Sequence, residues 1–179
     1  MNTRWALFIS GRGSNAQAAM DIADITRISL VVSSKEDAWG LARARRQGIA
    51  TLVLPKIIDW SEVSSALEAH GINRVILLGF MKLVPPSFVK RWQKQIWNLH
   101  PSLLPLYPGL HAIEKSFESK DCMGITIHQV TAEMDAGKRL MQIKTLSAFK
   151  KSSLCRAQEL ISRDEQRAVR IFIERGVCC

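Results

Sequence analysis

The sequence predicts an α/β fold, a single-domain doubly wound, mostly parallel sheet with an antiparallel extension after residue 120. Three observations carry that expectation. Apolar runs alternate with helix-period stretches through the first hundred residues, the rhythm of βαβ units. The segment Ser10-Gly11-Arg12-Gly13-Ser14-Asn15 follows the first run and opens a helix, as βα loops of such sheets do. Beyond Pro105 the rhythm breaks into two apolar runs joined by a loop containing Asp135, Ala136 and Gly137.

Taken in order, Trp5–Ile9 reads as the first strand, and Ile28–Val32, Ala50–Leu54, Arg74–Leu78 and Gln95–Asn98 as further strands. Helical stretches at Trp39–Arg46, Ser61–His70 and Pro86–Trp92 separate them. Ser14 with Gln17 three residues on fits a capping box at the start of the first helix. Leu110–Phe117 looks helical, Gly124–Val130 and Leu140–Leu146 look like strands, and Leu154–Glu174 reads as one long helix with Gly176 as its C-cap. Ligands of doubly wound sheets bind outside the carboxyl ends of the strands, where Ser10, Gly79 and Asn98 all fall. With no repeat, low-complexity segment or linker, residues 1–179 read as one domain.

With 47% hydrophobic residues, a chain of 179 holds enough apolar surface for one core. No apolar run approaches the ~18 residues of a membrane span, and Met1-Asn2-Thr3-Arg4-Trp5 leads straight into a strand rather than a signal peptide, so a soluble, cytoplasmic protein is expected. Cys122, Cys155, Cys178 and Cys179 form no C-x-x-C pair and have no His at ligand spacing, which argues against structural zinc or a disulfide framework. The terminal Cys178-Cys179 pair lacks the preceding basic stretch of a prenylation site and reads as a helix end. A net charge of +9 favours anionic partners. Because Arg43, Arg45, Arg46, Lys90, Arg91 and Lys94 are spread over helices rather than interleaved with aromatics, a solvated surface is preferred to a nucleic-acid groove. Small-molecule substrates are therefore expected, without nucleic acid or membrane.

The residues best suited to chemistry lie in Asn98-Leu99-His100-Pro101-Ser102-Leu103-Leu104-Pro105. Asn98 and His100 are two apart, so in extended backbone their side chains leave one face. An amide N–H and a protonated imidazole can both donate to an oxyanion, and the imidazole can also carry a proton. The same letters also suit a turn cap beside a structural histidine. Ser10–Asn15 has the form of a phosphate cradle, in which Gly13 lets backbone approach an anion, although it is neither G-x-G-x-x-G nor a Walker loop. Asp135 sits in a Met-Asp-Ala-Gly turn able to return a carboxylate to His100, where it would raise the imidazole pKa; plain turn propensity explains it equally well.

In combination these motifs are more specific. Ser10-Gly-Arg-Gly-Ser-Asn15, Gly79-Phe-Met-Lys-Leu83, Asn98-Leu-His-Pro-Ser-Leu-Leu-Pro105, Tyr107-Pro-Gly-Leu-His111 and Gly124-x-x-x-His128-x-Val130-x-x-x-x-Asp135-x-Gly137, in this order, resemble the phosphoribosylglycinamide formyltransferases, a family of folate-dependent formyltransferases. The resemblance implies transfer of a formyl group from 10-formyltetrahydrofolate, as co-substrate, to glycinamide ribonucleotide in purine synthesis, with no metal. It implies catalytic roles for Asn98, His100 and Asp135, phosphate binding by Gly13, Ser14 and Asn15, and ribose binding by Glu165. Folate contacts are implied for Met81, Lys82, Leu83, Val84, Asn98, Thr131, Ala132, Glu133, Met134 and Asp135; a homodimer is compatible with the resemblance. Two departures stand out. Lys56–Glu62 lacks the family's folate-contacting arginine, and Ser162-Arg163-Asp164-Glu165-Gln166 replaces the usual Glu-His pair. The competing readings are a formyltransferase for a nucleotide-linked amino sugar and a relative that keeps the fold without turnover.

Overall fold

The apolar runs become the strands of one sheet. The structure, a computed structural model, describes residues 3–22, 27–120, 122–145 and 153–175. Its elements are β1 (Trp5–Ile9), α1 (Ser14–Met20), β2 (Ile28–Ser33), α2 (Trp39–Arg46), β3 (Ala50–Val53), α3 (Trp60–Ala69), β4 (Arg74–Leu77), α4 (Pro86–Arg91), β5 (Ile96–His100), α5 (Ala112–Glu118), β6 (Gly124–Gln129), β7 (Arg139–Lys144) and α6 (Leu154–Arg175). The seven strands lie in the order β3-β2-β1-β4-β5-β6-β7. Pairing is parallel from β3 through β5, and antiparallel between β5 and β6 and between β6 and β7. The doubly wound sheet with an antiparallel extension expected from the sequence is the observed fold.

Alternation along β1 explains why both faces are covered. Trp5, Leu7 and Ile9 enter one core layer with Ala16 and Ala19 of α1 and with Ala157, Ile161, Ala168, Val169 and Phe172 of α6. Ala6 and Phe8 enter the other, with Val63 and Leu67 of α3 and Phe88 of α4. A strand buried on both faces must be apolar at every position, and β1 is. The α6 residues recur at three-, four- and seven-residue intervals, giving the stripe that seats the helix on the sheet. Phe172 closes this layer edge-on against both Trp5 and Trp97, at 5.8 and 5.7 Å between ring centres. Truncating it to Ala would remove about 3–5 kcal/mol.

Several element ends differ from expectation for local reasons. The fifth strand runs on to His100, so Asn98 lies inside it, and Pro101 ends it. The first helix has no capping box: Gly13, at φ 70°, is the N-cap, Ser14 is the first helical residue, and the Gln17 side chain donates to Asp21 at 2.6 Å. The third helix starts at Trp60 because Asp59 caps it, accepting from the Ser61 amide at 2.8 Å. The fifth helix starts at Ala112, after His111 turns through φ 60°. Leu146, Gly176, Cys178 and Cys179, named in the sequence reading, lie outside the described residues.

Strand order reverses between β1 and β4, whose chain neighbours diverge, leaving a crevice at their carboxyl ends. The loop Ser10–Asn15 leaves β1 there, residues 79–84 leave β4, and β5 brings Asn98 and His100 to the same edge.

Candidate active site

Antiparallel pairing builds the polar cluster. Asn98 and His100 lie on β5, and the register sets His128 of β6 directly opposite Asn98. The turn after β6 returns Asp135, at φ 54°, over this face. Its Oδ1 lies 3.3 Å from His128 Nε2 and accepts from Asn98 Nδ2 at 3.4 Å. Its Oδ2 lies 3.4 Å from His100 Nδ1 and accepts the Gly109 amide at 2.8 Å. Two imidazoles, a side-chain amide and a backbone N–H thus surround one carboxylate. A left-handed φ on a residue other than glycine is strain of about 1–3 kcal/mol, which these four contacts offset.

The proton positions follow from the partners. The Tyr107 carbonyl can only accept, so the His100 Nε2 facing it at 2.8 Å carries hydrogen. In the neutral ring Nδ1 then presents its lone pair to Asp135. The Gln129 carbonyl, 2.9 Å from His128 Nδ1, fixes that proton likewise and leaves His128 Nε2 to take an N–H from Asn98 at 3.2 Å. Burial pushes the His100 imidazole below its ordinary value, against the opposite pull of the Tyr107 carbonyl and of Asp135. Asp135 pulls the His100 pKa upward, as expected, but desolvation of a ring only 6% exposed in its side chain outweighs the carboxylate. Burial alone would raise the Asp135 carboxyl, but His128 against its Oδ1, the Gly109 amide and the His100 imidazole bring it down to about 2. Among the described residues no three His, Cys, Asp or Glu side chains present a shared metal site. Both histidines instead aim at the carboxylate itself.

At the other end of the crevice, Gly13 is needed for a reason the sequence did not disclose. A Cβ there would lie 2.5 Å from the Gly40 Cα of α2, so the loop is pressed against that helix as well as free to approach a ligand. Asn15 donates from Nδ2 to Glu165 on α6 at 3.1 Å, while its own buried Oδ1 has no protein partner. Burial raises the Glu165 carboxyl, and the Asn15 bond only partly offsets this. The sequence-predicted phosphate and ribose residues thus lie in contact with one another.

The residues implied for folate spread along the rim. Met81, Lys82 and Leu83 after β4 and Thr131–Met134 after β6 are exposed, while Val84 packs into the second core layer. A cleft of about 520 Å³ opens beside the Asp135 turn, lined by Leu104, Pro105 and residues 135–139, and of the implied folate residues it takes in only Asp135. The sequence motifs contain three groups that touch the cluster but gave them no role: His128, the Gly109 amide and the Tyr107 carbonyl. His128 was findable by pairing Gly124–Val130 antiparallel to the strand of Asn98; the two backbone groups carry no side-chain signal.

The formyl transferase family pattern matches residues 3–170. The chain is similar to the phosphoribosylglycinamide formyltransferase of Escherichia coli (strain K12), 40% identical over 149 residues that cover 77% of this chain and 70% of that one. Among solved structures it superposes on the phosphoribosylglycinamide formyltransferase from Anaplasma phagocytophilum with TM-score 0.88 at 34% identity, covering 96% of this chain and 84% of that one. The enzyme of the same name from Bacillus halodurans gives TM-score 0.89 at 30% identity, covering 98% and 96%. The chain belongs to the formyl transferase family, and within it to the phosphoribosylglycinamide formyltransferases.

Proposed function

We propose that this chain transfers the formyl group of 10-formyltetrahydrofolate to the primary amine of glycinamide ribonucleotide, giving formylglycinamide ribonucleotide and tetrahydrofolate in purine synthesis. The observation that carries the reading is the convergence of Asn98 and His100 on Asp135, on the same sheet edge as the loop ending in Gly13, Ser14 and Asn15. The amine adds to the formyl carbon, its carbonyl oxygen takes the negative charge, and the bond to the folate nitrogen then breaks as that nitrogen gains a proton. Asn98 Nδ2 carries two N–H groups; one stays on Asp135, and the other turns from His128 to the oxyanion. His100 starts neutral with its Nδ1 lone pair toward Asp135; it takes the proton shed by the amine, and the carboxylate holds the resulting imidazolium. That proton then passes to the departing folate nitrogen, which returns His100 to the neutral form. The amides of residues 13–15 at the start of α1 hold the substrate phosphate. Glu165, aligned by Asn15, accepts from ribose hydroxyls. Met81–Val84 and Thr131–Asp135 border the folate, and the reaction uses no metal.

The test is purified protein with both substrates, following the appearance of tetrahydrofolate. Transfer to glycinamide ribonucleotide is expected. Formylation of a nucleotide-linked amino sugar with none of the ribonucleotide would overturn the substrate assignment, and binding of both without turnover would overturn the catalytic one.

A further inference from the structure

One buried hydroxyl joins the two halves of this edge. Ser10, 5% exposed, follows β1 and begins the loop that reaches Asn15. Its Oγ lies 2.6 Å from the Ser34 Oγ just after β2 and accepts the Met81 amide, in the loop after β4, at 2.8 Å. A hydroxyl has one proton and two lone pairs, so it satisfies both contacts together. Beyond Ser34 the chain enters α2, whose Gly40 donates its amide to the Gly11 carbonyl at 3.2 Å and blocks any Cβ at Gly13. The path Ser10, Gly11, Gly40, Ser34 and back to Ser10 is therefore closed. Phe80, beside Met81, packs edge-on against Phe8 of the same strand at 5.3 Å, so the rest of that loop also hangs from β1.

We propose that Ser10 is a positioning residue that couples binding of the two substrates, transmitting occupancy of the Gly13–Asn15 loop to the loop of Met81. The proposal rests on the ribonucleotide and folate assignments above. It makes no use of the Asn98, His100 and Asp135 chemistry, so the pH profile of turnover is untouched by loss of the hydroxyl.

Calorimetry would measure glycinamide ribonucleotide and tetrahydrofolate, each alone and each in the presence of the other, with the parent and with Ser10→Ala. In the parent each ligand is expected to tighten the other by about fivefold or more. In Ser10→Ala that factor falls below about twofold while the single-ligand affinities stay within about threefold. A second readout follows the Met81 backbone amide by NMR: adding glycinamide ribonucleotide alone shifts it in the parent and not in Ser10→Ala. Coupling preserved in Ser10→Ala, no coupling in the parent, or a common collapse of both single affinities in the variant would each overturn the proposal. A parent that fails to bind glycinamide ribonucleotide at all would instead remove the substrate assignment beneath it.

Discussion

The parallel half of the sheet and its antiparallel extension build their parts of the site by different means. After β1 the loop depends on backbone: Gly13 at φ 70° fits against Gly40, and the Gly40 amide bonds the Gly11 carbonyl. Across β5 and β6 the site depends on side chains, with Asn98, His100 and His128 brought to one carboxylate by strand register. Parallel strands release their loops at one edge and suit anion capture by N–H groups. An antiparallel pair sets side chains opposite one another at short range and suits proton and charge handling. Substitutions in the two regions should therefore fail differently: in the extension by loss of chemistry with the fold intact, in the parallel half by loss of shape.

The largest effect is expected for Asp135→Asn. The amide keeps the size of the group but removes the charge that would hold a protonated His100, so kcat at saturating substrates should fall by on the order of 10²–10⁴. The melting profile at neutral pH checks that the fold remains. A kcat near the parent's would detach the carboxylate from the reaction.

Gly13→Val comes next, and it breaks structure. A side chain must displace the Gly40 backbone from 2.5 Å and hold a left-handed φ, a combined cost of about 3 kcal/mol or more, seen as a drop in Tm of roughly 6–12 °C. Both substrates should weaken together. Selective loss of the ribonucleotide with an unchanged Tm would mean that the glycine serves the phosphate alone.

The smallest effect belongs to Glu165→Gln, on the boundary between the two regions. Its carboxyl is raised in the folded protein, so the native state binds more protons than the unfolded chain as pH rises through the ordinary value of 4.5, and stability is lost over that window. The neutral isostere removes this penalty. Ligand-free Glu165→Gln should melt roughly 2 °C higher than the parent at pH 7 and no higher at pH 4, while losing preference for a substrate with intact ribose hydroxyls. Calorimetric scans at the two pH values, with kcat/KM for the two substrates, check both halves.

The strands were legible because burial on both faces demands unbroken apolar runs, and β1 shows this at all five positions. Proline and glycine marked the site loops for similarly local reasons. What stayed hidden depends on tertiary approach. Gly13 reads as an anion-binding glycine until Gly40 is found beneath it, and Ser14 reads as a cap until Gly13 takes that place. The net fall in the His100 pKa stayed hidden because residue spacing shows the neighbouring carboxylate, which does pull it upward, but not the depth of burial. Tyr107 and Gly109 act through their backbones, which any residue supplies.

The division between chemistry and shape is tested most directly by Asn98→Ala in single-turnover formyl transfer, with dissociation constants measured for both substrates. Loss of one oxyanion donor should slow the chemical step by on the order of 10²–10³ while both constants stay within about threefold of the parent. An unchanged chemical rate, or a loss lying wholly in substrate binding, would contradict it.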